Sequence, residues 1–282
     1  MPAYPGPMDS LVTTAWLEAE LGAPGLAILD CTLVMPGSGR DPRAAFVEAH
    51  IPGARFLDIE AVSDRAHPAP HMLPPAAEFG AAMEALGVGG DDRILVYDDS
   101  PLRSAARGWF MLRHFGAEHV AILDGGLAKW VAEGRPTEGG KPPTRNARFD
   151  ALEAADTVAR TDVLTIGLPL IDARSRRRFE GSEPDPRPGV APGHIPGARN
   201  LPFGDLYNAD GTFRSADEIS ALFAAAGLDP DAPFVASCGS GVTAASLIFA
   251  AHRLGNDDAR LYDGSWSEWG ADPATPKALG PA

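Results

Sequence analysis

The chain has 282 residues, enough for two cores of about 140 residues each rather than one, and its 45% hydrophobic and 22% charged residues are ordinary for globular domains. A net charge of −14 argues against nucleic acid or an anionic membrane as partner, because bulk repulsion opposes both. Cys31 and Cys238 lie far apart without a CxxC and the seven histidines occur singly, which excludes a disulfide framework and leaves no metal-ligand spacing.

No apolar run approaches the roughly 20 residues that span a bilayer. Met1 to Trp16 carries Asp9 and no basic residue before an apolar run, unlike a secretory signal. A cytoplasmic protein that needs no metal and no organic cofactor is expected.

In chain order, the first buried-strand signal is Leu26-Ala27-Ile28-Leu29-Asp30, and Cys31 at its end reads as a structural small hydrophobe. The turn His50-Ile51-Pro52-Gly53-Ala54-Arg55 follows. Next come a strand signal at Arg93–Tyr97, a helical stretch ending in Arg113-His114-Phe115-Gly116, and the turn Leu123-Asp124-Gly125-Gly126 with Trp130 behind it. Residues 137–156 are rich in Pro, Gly, Lys and Arg before turning Ala-rich, and read as a linker.

The same landmarks then return in the same order. They are Leu168–Asp172, His194–Arg199 (letter for letter the His50 segment), Pro233–Ser237, a helix ending in His252-Arg253-Leu254-Gly255, and Tyr262-Asp263-Gly264-Ser265 with Trp266 and Trp269. A repeat of this length is two homologous domains in tandem, not a solenoid of 20–50-residue units. Short apolar runs alternating with helical patterns predict an α/β fold, each domain a mainly parallel sheet flanked by helices. The expected division is 1–136, a linker at 137–156, and 157–282. The paired His50 and His194 are expected to fix their turns, and the tryptophans to pack.

The two halves differ where chemistry would sit, since aligning their strand-to-helix turns sets Asp99 opposite Cys238. The loop Ser237-Cys238-Gly239-Ser240-Gly241-Val242-Thr243-Ala244 leaves a strand and opens a helix with an apolar stripe of Leu247, Ile248, Ala251 and Leu254. Backbone N–H groups of Gly239, Gly241, Val242 and Thr243 are expected to turn toward one point, where the positive helix end favours an anion. That anion is the Cys238 sulfur, held as a nucleophilic thiolate. Cysteine phosphatases use the same layout but need an arginine six positions after the cysteine. Ala244 stands there, and the loop carries no charge, which disfavours phosphate hydrolysis.

The tandem layout, both HIPGA segments and CGSGVTA resemble the two-domain rhodanese family of sulfurtransferases over nearly the whole chain. The uncharged loop is similar to that of members using 3-mercaptopyruvate. Thiosulfate-preferring members typically carry basic residues where Gly239 and Ser240 stand. The segment Arg178-Phe179-Glu180-Gly181-Ser182-Glu183-Pro184-Asp185-Pro186-Arg187 is similar to the one that supplies substrate-binding arginines, which implies Arg178 and Arg187. Guanidinium forks suit the carboxylate and carbonyl of a keto acid. Arg174, Arg176 and Arg177 are expected to be solvated or structural.

The resemblance also implies a proton relay of a loop serine, a histidine and an acid. These fall on Ser240, His71 and Glu60, where the family usually has Asp; Asp64 is a second acid nearby. The implied reaction moves sulfur from 3-mercaptopyruvate through a Cys238 persulfide to thioredoxin, a small thiol or cyanide, releasing pyruvate. A thiosulfate donor, or a non-catalytic or redox-sensing tandem module, are the alternatives.

Overall fold

The computed structural model describes residues 8–35 and 37–281; the first seven residues of the segment read against a secretory signal lie outside them. The chain forms two compact units. The first comprises residues 1–62, 74–154 and 209–212, and the second 63–73, 155–208 and 213–282. The expected division at 136 and 157 therefore differs from these units at two short segments, 63–73 and 209–212.

In the first unit β1 (Leu11–Val12), β2 (Leu26–Asp30), β3 (Arg55–Phe56), β4 (Arg93–Tyr97) and β5 (Val120–Leu123) alternate with helices α1 (Thr14–Glu20), α2 (Pro42–Glu48), α3 (Ala76–Ala85), α4 (Ala105–His114) and α5 (Gly126–Ala132). The sheet order is β1-β5-β4-β2-β3, all parallel. Its central strands are buried on both faces, which is why β2 and β4 read as unbroken apolar runs rather than alternating ones. Side-chain caps start α1 and α2. Thr13 accepts from the Trp16 N–H, and Asp41 accepts from the N–H groups of Arg43 and Ala44 beside Pro42 in the first turn.

The second unit repeats the plan. β6 (Leu170–Asp172), β7 (Arg199–Asn200), β8 (Val235–Ser237) and β9 (Arg260–Leu261) form a parallel sheet of order β7-β6-β8-β9. Helices α6 (Arg176–Glu180), α7 (Ala216–Ala225), α8 (Ala244–Arg253) and α9 (Ser265–Trp269) accompany it, with a 3-10 turn at Phe203–Leu206. The order matches β5-β4-β2-β3 of the first unit. The place of β1 is kept only by a single parallel bridge from Thr157 to Leu261.

Leu17, Ile28, Phe46, Leu95 and Trp130 belong to the first core; Leu170, Phe179, Ile195, Val235 and Trp266 belong to the second. The repeated histidines perform one structural task twice. The His50 ring stacks on Phe46 at 4.0 Å with Nδ1 2.7 Å from its carbonyl oxygen; His194 stacks on Phe179 at 3.8 Å with Nδ1 2.9 Å from that carbonyl. Three buried tryptophans donate to backbone carbonyls, Trp130 to Pro136, Trp266 to Ala191 and Trp269 to Pro276.

Residues 139–154 hold no helix or strand, yet they are fastened to the first unit rather than loose. The Gly90 N–H donates to Arg148 O, Leu152 N–H to Phe115 O and Ala154 N–H to His114 O, and Phe149 is buried edge-on against Phe79. Composition alone marks such a stretch as irregular; the apolar side chain inside it decides that it packs.

Candidate active site

Cys238 leaves the C-terminal end of the central strand β8 and precedes α8, the usual position for a ligand site in an open parallel sheet. Leu247, Ile248 and Ala251 of the expected stripe are buried, as is every residue from Ala244 to Ala251, so α8 is enclosed rather than amphipathic. Leu254 caps the helix, and Gly255 follows with the left-handed φ of 95° that ends it.

The two loop glycines serve different needs. Gly241 has φ 74°, open to glycine without strain. Gly239 has no such backbone; what it gives is space. A Cβ there would lie 3.3 Å from Arg178 Nη2 and 3.3 Å from Arg187 Nη1. Both guanidinium groups therefore lie over the residue next to Cys238. Cys238 itself is 1% exposed, with these two polar groups over its neighbour.

The arginines come from α6 and the loop after it. Ser175 caps α6 by accepting from the Arg178 N–H, and Gly181 ends it with φ 77°. Arg178 Nη2 donates to Asp185 Oδ2 at 2.6 Å, and Arg187 Nη1 lies 3.6 Å from Asp185 Oδ1. Arg178 Nε is buried and has no acceptor among the described residues, so this guanidinium keeps donor capacity in hand. Arg174 is structural: it is buried, paired with Asp172 at 2.6 Å, and lies over the Trp266 ring. Arg176 and Arg177 are exposed.

Ser240 Oγ is a junction. Arg187 Nη2 donates to it at 3.2 Å, and His71 Nδ1 lies 2.9 Å away. A guanidinium can only donate, so one lone pair of Oγ is taken and the hydroxyl hydrogen is left for the imidazole. His71 is held in left-handed backbone, φ 62°. The Leu73 N–H donates to Asp263 Oδ2 at 2.6 Å and the Asp64 N–H to Met72 O at 2.9 Å, so bonds on both sides fix that turn. Glu60 belongs to the first unit, where with Thr32, Arg40, Phe56 and Asp58 it lines a cavity of about 380 Å³.

The expectation that the loop amides all converge on one anion needs correction. The N–H groups of Cys238 and Gly241 donate instead to Ser265 Oγ, at 3.0 and 3.1 Å. Among the described residues the amides of Gly239, Ser240, Val242 and Thr243 have no protein acceptor. From the other side the N–H groups of Trp266 and Ser267 donate to the carbonyls of Cys238 and Gly239, and Ser267 Oγ also donates to Gly239 O. The turn opening α9 thus braces the cysteine loop. Asp185, Asp263 and Ser265 had passed only as parts of motifs. An acid between two arginines, and a serine replacing the second glycine of the repeated turn, were the signals that could have found them.

The expected match of Asp99 to Cys238 shifts by one residue: β2 pairs Asp30 with Tyr97 as β6 pairs Asp172 with Ser237, and the Leu127 N–H donates to Asp98 O as the Trp266 N–H does to Cys238 O, so Asp98 fills that position. Aligning the helices instead of the strands hides one extra loop residue in the first unit. Asp99 pairs with Arg40, and its N–H donates to Thr32 Oγ1 at 2.9 Å. Cys31 is wholly buried against Gly108, and burial, with the Asp30 and Asp98 carboxylates, pushes its thiol well up. Among the described residues no cluster of His, Cys, Asp and Glu could hold a metal ion, and no helix is long and apolar enough to cross a membrane.

The family model for the rhodanese-like domain matches twice, over residues 13–133 and 150–272. The 3-mercaptopyruvate sulfurtransferase of Escherichia coli K12 is 43% identical over 262 residues, covering 91% of this chain and 93% of that protein. The human 3-mercaptopyruvate sulfurtransferase is 41% identical over 278 residues, covering 95% and 94%. The crystal structure of SseA from Escherichia coli superposes with a TM-score of 0.84 at 40% identity, covering 93% of this chain and all of that one.

Proposed function

The chain belongs to the rhodanese family, and from that premise we propose that it is a 3-mercaptopyruvate sulfurtransferase with Cys238 as its nucleophile. The observation that carries the reading is the pair of guanidinium groups 3.3 Å from a Cβ position on Gly239, beside a cysteine at the mouth of α8. A keto acid offers a carboxylate and a carbonyl oxygen to such donors. The neutral loop agrees with this donor, since a basic side chain at position 239 would enter space that the two arginines already fill.

In the proposed reaction the Cys238 thiolate attacks the donor sulfur. An S–S bond forms, the C–S bond breaks, and its electron pair leaves on carbon as the enolate of pyruvate. Arg178 and Arg187 stabilise the developing oxyanion. A proton reaches the carbon through Ser240, backed by His71, for which the 2.9 Å contact and the donation from Arg187 are the support. Glu60, whose position corresponds to the family's relay acid, is proposed to complete that relay.

The free amides of Gly239, Ser240, Val242 and Thr243, at the positive end of α8, are suited to the persulfide that remains. An acceptor thiolate (of thioredoxin, of a small thiol, or cyanide in its place) then takes the outer sulfur and restores the Cys238 thiolate. The reaction draws on no metal or organic cofactor, and a cytoplasmic setting is proposed with it. Pyruvate release from 3-mercaptopyruvate is the assay. Cys238→Ser is expected to abolish release and the one-sulfur mass gain on donor treatment; a variant that keeps activity would refute the assignment.

A further inference from the structure

We propose that Asp185 determines donor choice, by holding the arginine pair over Cys238 at one net positive charge and so favouring monoanionic over dianionic sulfur donors. The inference rests on the sulfurtransferase reading and adds to it a residue and a charge rule.

Asp185 has a side chain only 2% exposed, against 20% for Arg178 and 24% for Arg187. A carboxylate so buried is tolerable only when paired. Both partners are the arginines: Oδ2 accepts from Arg178 Nη2 at 2.6 Å, and Oδ1 faces Arg187 Nη1 at 3.6 Å while accepting the Arg187 N–H at 3.0 Å. The arginines thus reach the site with one of their two charges already cancelled.

No other carboxylate among the described residues pairs with Arg178 or Arg187. Residues Ser237 to Thr243 are uncharged. Arg174 and Asp172 cancel one another out of solvent. Asp263 accepts the Leu73 N–H, and Glu268 accepts from the Tyr262 hydroxyl and faces His67 and Arg160. What remains over Cys238 is one positive charge. The single carboxylate of 3-mercaptopyruvate matches it. Thiosulfate brings a second negative charge, which would face the Asp185 carboxylate with no cation left to meet it.

Asp185→Asn keeps the shape and removes the charge, leaving one acceptor oxygen for one arginine while its amide NH2 faces the other; Asp185→Glu keeps the charge. The measurement is kcat/KM for thiosulfate and for 3-mercaptopyruvate in the full chain and both variants. For Asp185→Asn the thiosulfate-to-mercaptopyruvate ratio is expected to rise by about tenfold or more, one decade being about 1.4 kcal/mol, and the rise should shrink at high salt. Asp185→Glu should keep the parental ratio.

A purely structural carboxylate would change both donors by one factor, and an unmoved ratio overturns the proposal. If Asp185→Asn turns over neither donor, protection of Cys238 from alkylation by inorganic sulfate against pyruvate replaces turnover; sulfate must gain relative to pyruvate, and equal behaviour again overturns it. Failure of the parent chain to release pyruvate would instead sink the sulfurtransferase reading, so the two failures are distinct.

Discussion

Ser265 and Gly126 occupy corresponding turns in the two units, both in left-handed backbone, with φ 49° and 59°. Glycine adopts that conformation freely, whereas serine is strained by about 1 kcal/mol or more. The hydroxyl explains the difference. In the second unit it holds the N–H groups of Cys238 and Gly241 and donates to Tyr262 O at 2.9 Å. In the first unit Asp98 stands where Cys238 does, and its own carboxylate accepts the N–H groups of Ser100 and Ala105.

Ser265→Gly would relieve the strain but leave two buried amide donors without a partner. Each costs about 1–3 kcal/mol, so the loss outweighs the relief. Thermal unfolding should shift to lower temperature, and kcat should fall as the loop loosens. A variant more stable than the parent would show that strain, not the hydroxyl, dominates this turn.

Ser240→Ala and His71→Ala should each lower kcat for pyruvate release by about 10²-fold, the lower range for a lost general acid–base group. Because the two share one contact at 2.9 Å, the double variant should be scarcely worse than either single one. Independent, multiplying losses in steady-state kinetics would disprove a shared relay.

Gly108 lies inside α4, where alanine is ordinarily better by about 1 kcal/mol. Here an added methyl would overlap the Cys31 sulfur. Gly108→Ala should therefore destabilise the protein, and Cys31→Ala should rescue it in the double variant. Denaturant melts of the two singles and the double test the coupling; additive effects would count against it.

Burial pushes the Asp98 carboxyl from its ordinary 3.8 up to about 6, against the opposing hydrogen bonds from the N–H groups of Ala105 and Ser100. The folded protein then holds this proton more tightly than the unfolded chain does. The sign follows: the contribution to stability is full below about pH 4 and is lost as pH rises to about 6. Relative to Asp98→Asn, the parent should lose on the order of 3 kcal/mol across that window. Unfolding measured between pH 4 and 7 checks the direction, and a parallel pH dependence in the two proteins would contradict it.

Much of the fold was legible because the repeat supplied its own alignment. The runs Leu26–Asp30 and Arg93–Tyr97 are the strands β2 and β4 residue for residue, since strands buried on both faces leave an uninterrupted apolar signature. Bonds between residues far apart in sequence were not legible. Asp263 on Leu73, Asp185 between two arginines and Ser265 under the cysteine loop each join ordinary polar residues whose types say nothing about partners.

By itself the sequence determined the doubling of the chain, the place of Cys238 between a strand and a helix, and the absence of charge in its loop. These are local properties, set by apolar period and residue type over a few positions. Only the tertiary structure decided which loop amides stay unpaired and that Gly239 is there to make room. It also decided that one buried carboxylate halves the charge of the arginine pair. Those outcomes depend on packing between segments distant along the chain, where geometry, not composition, chooses the partner.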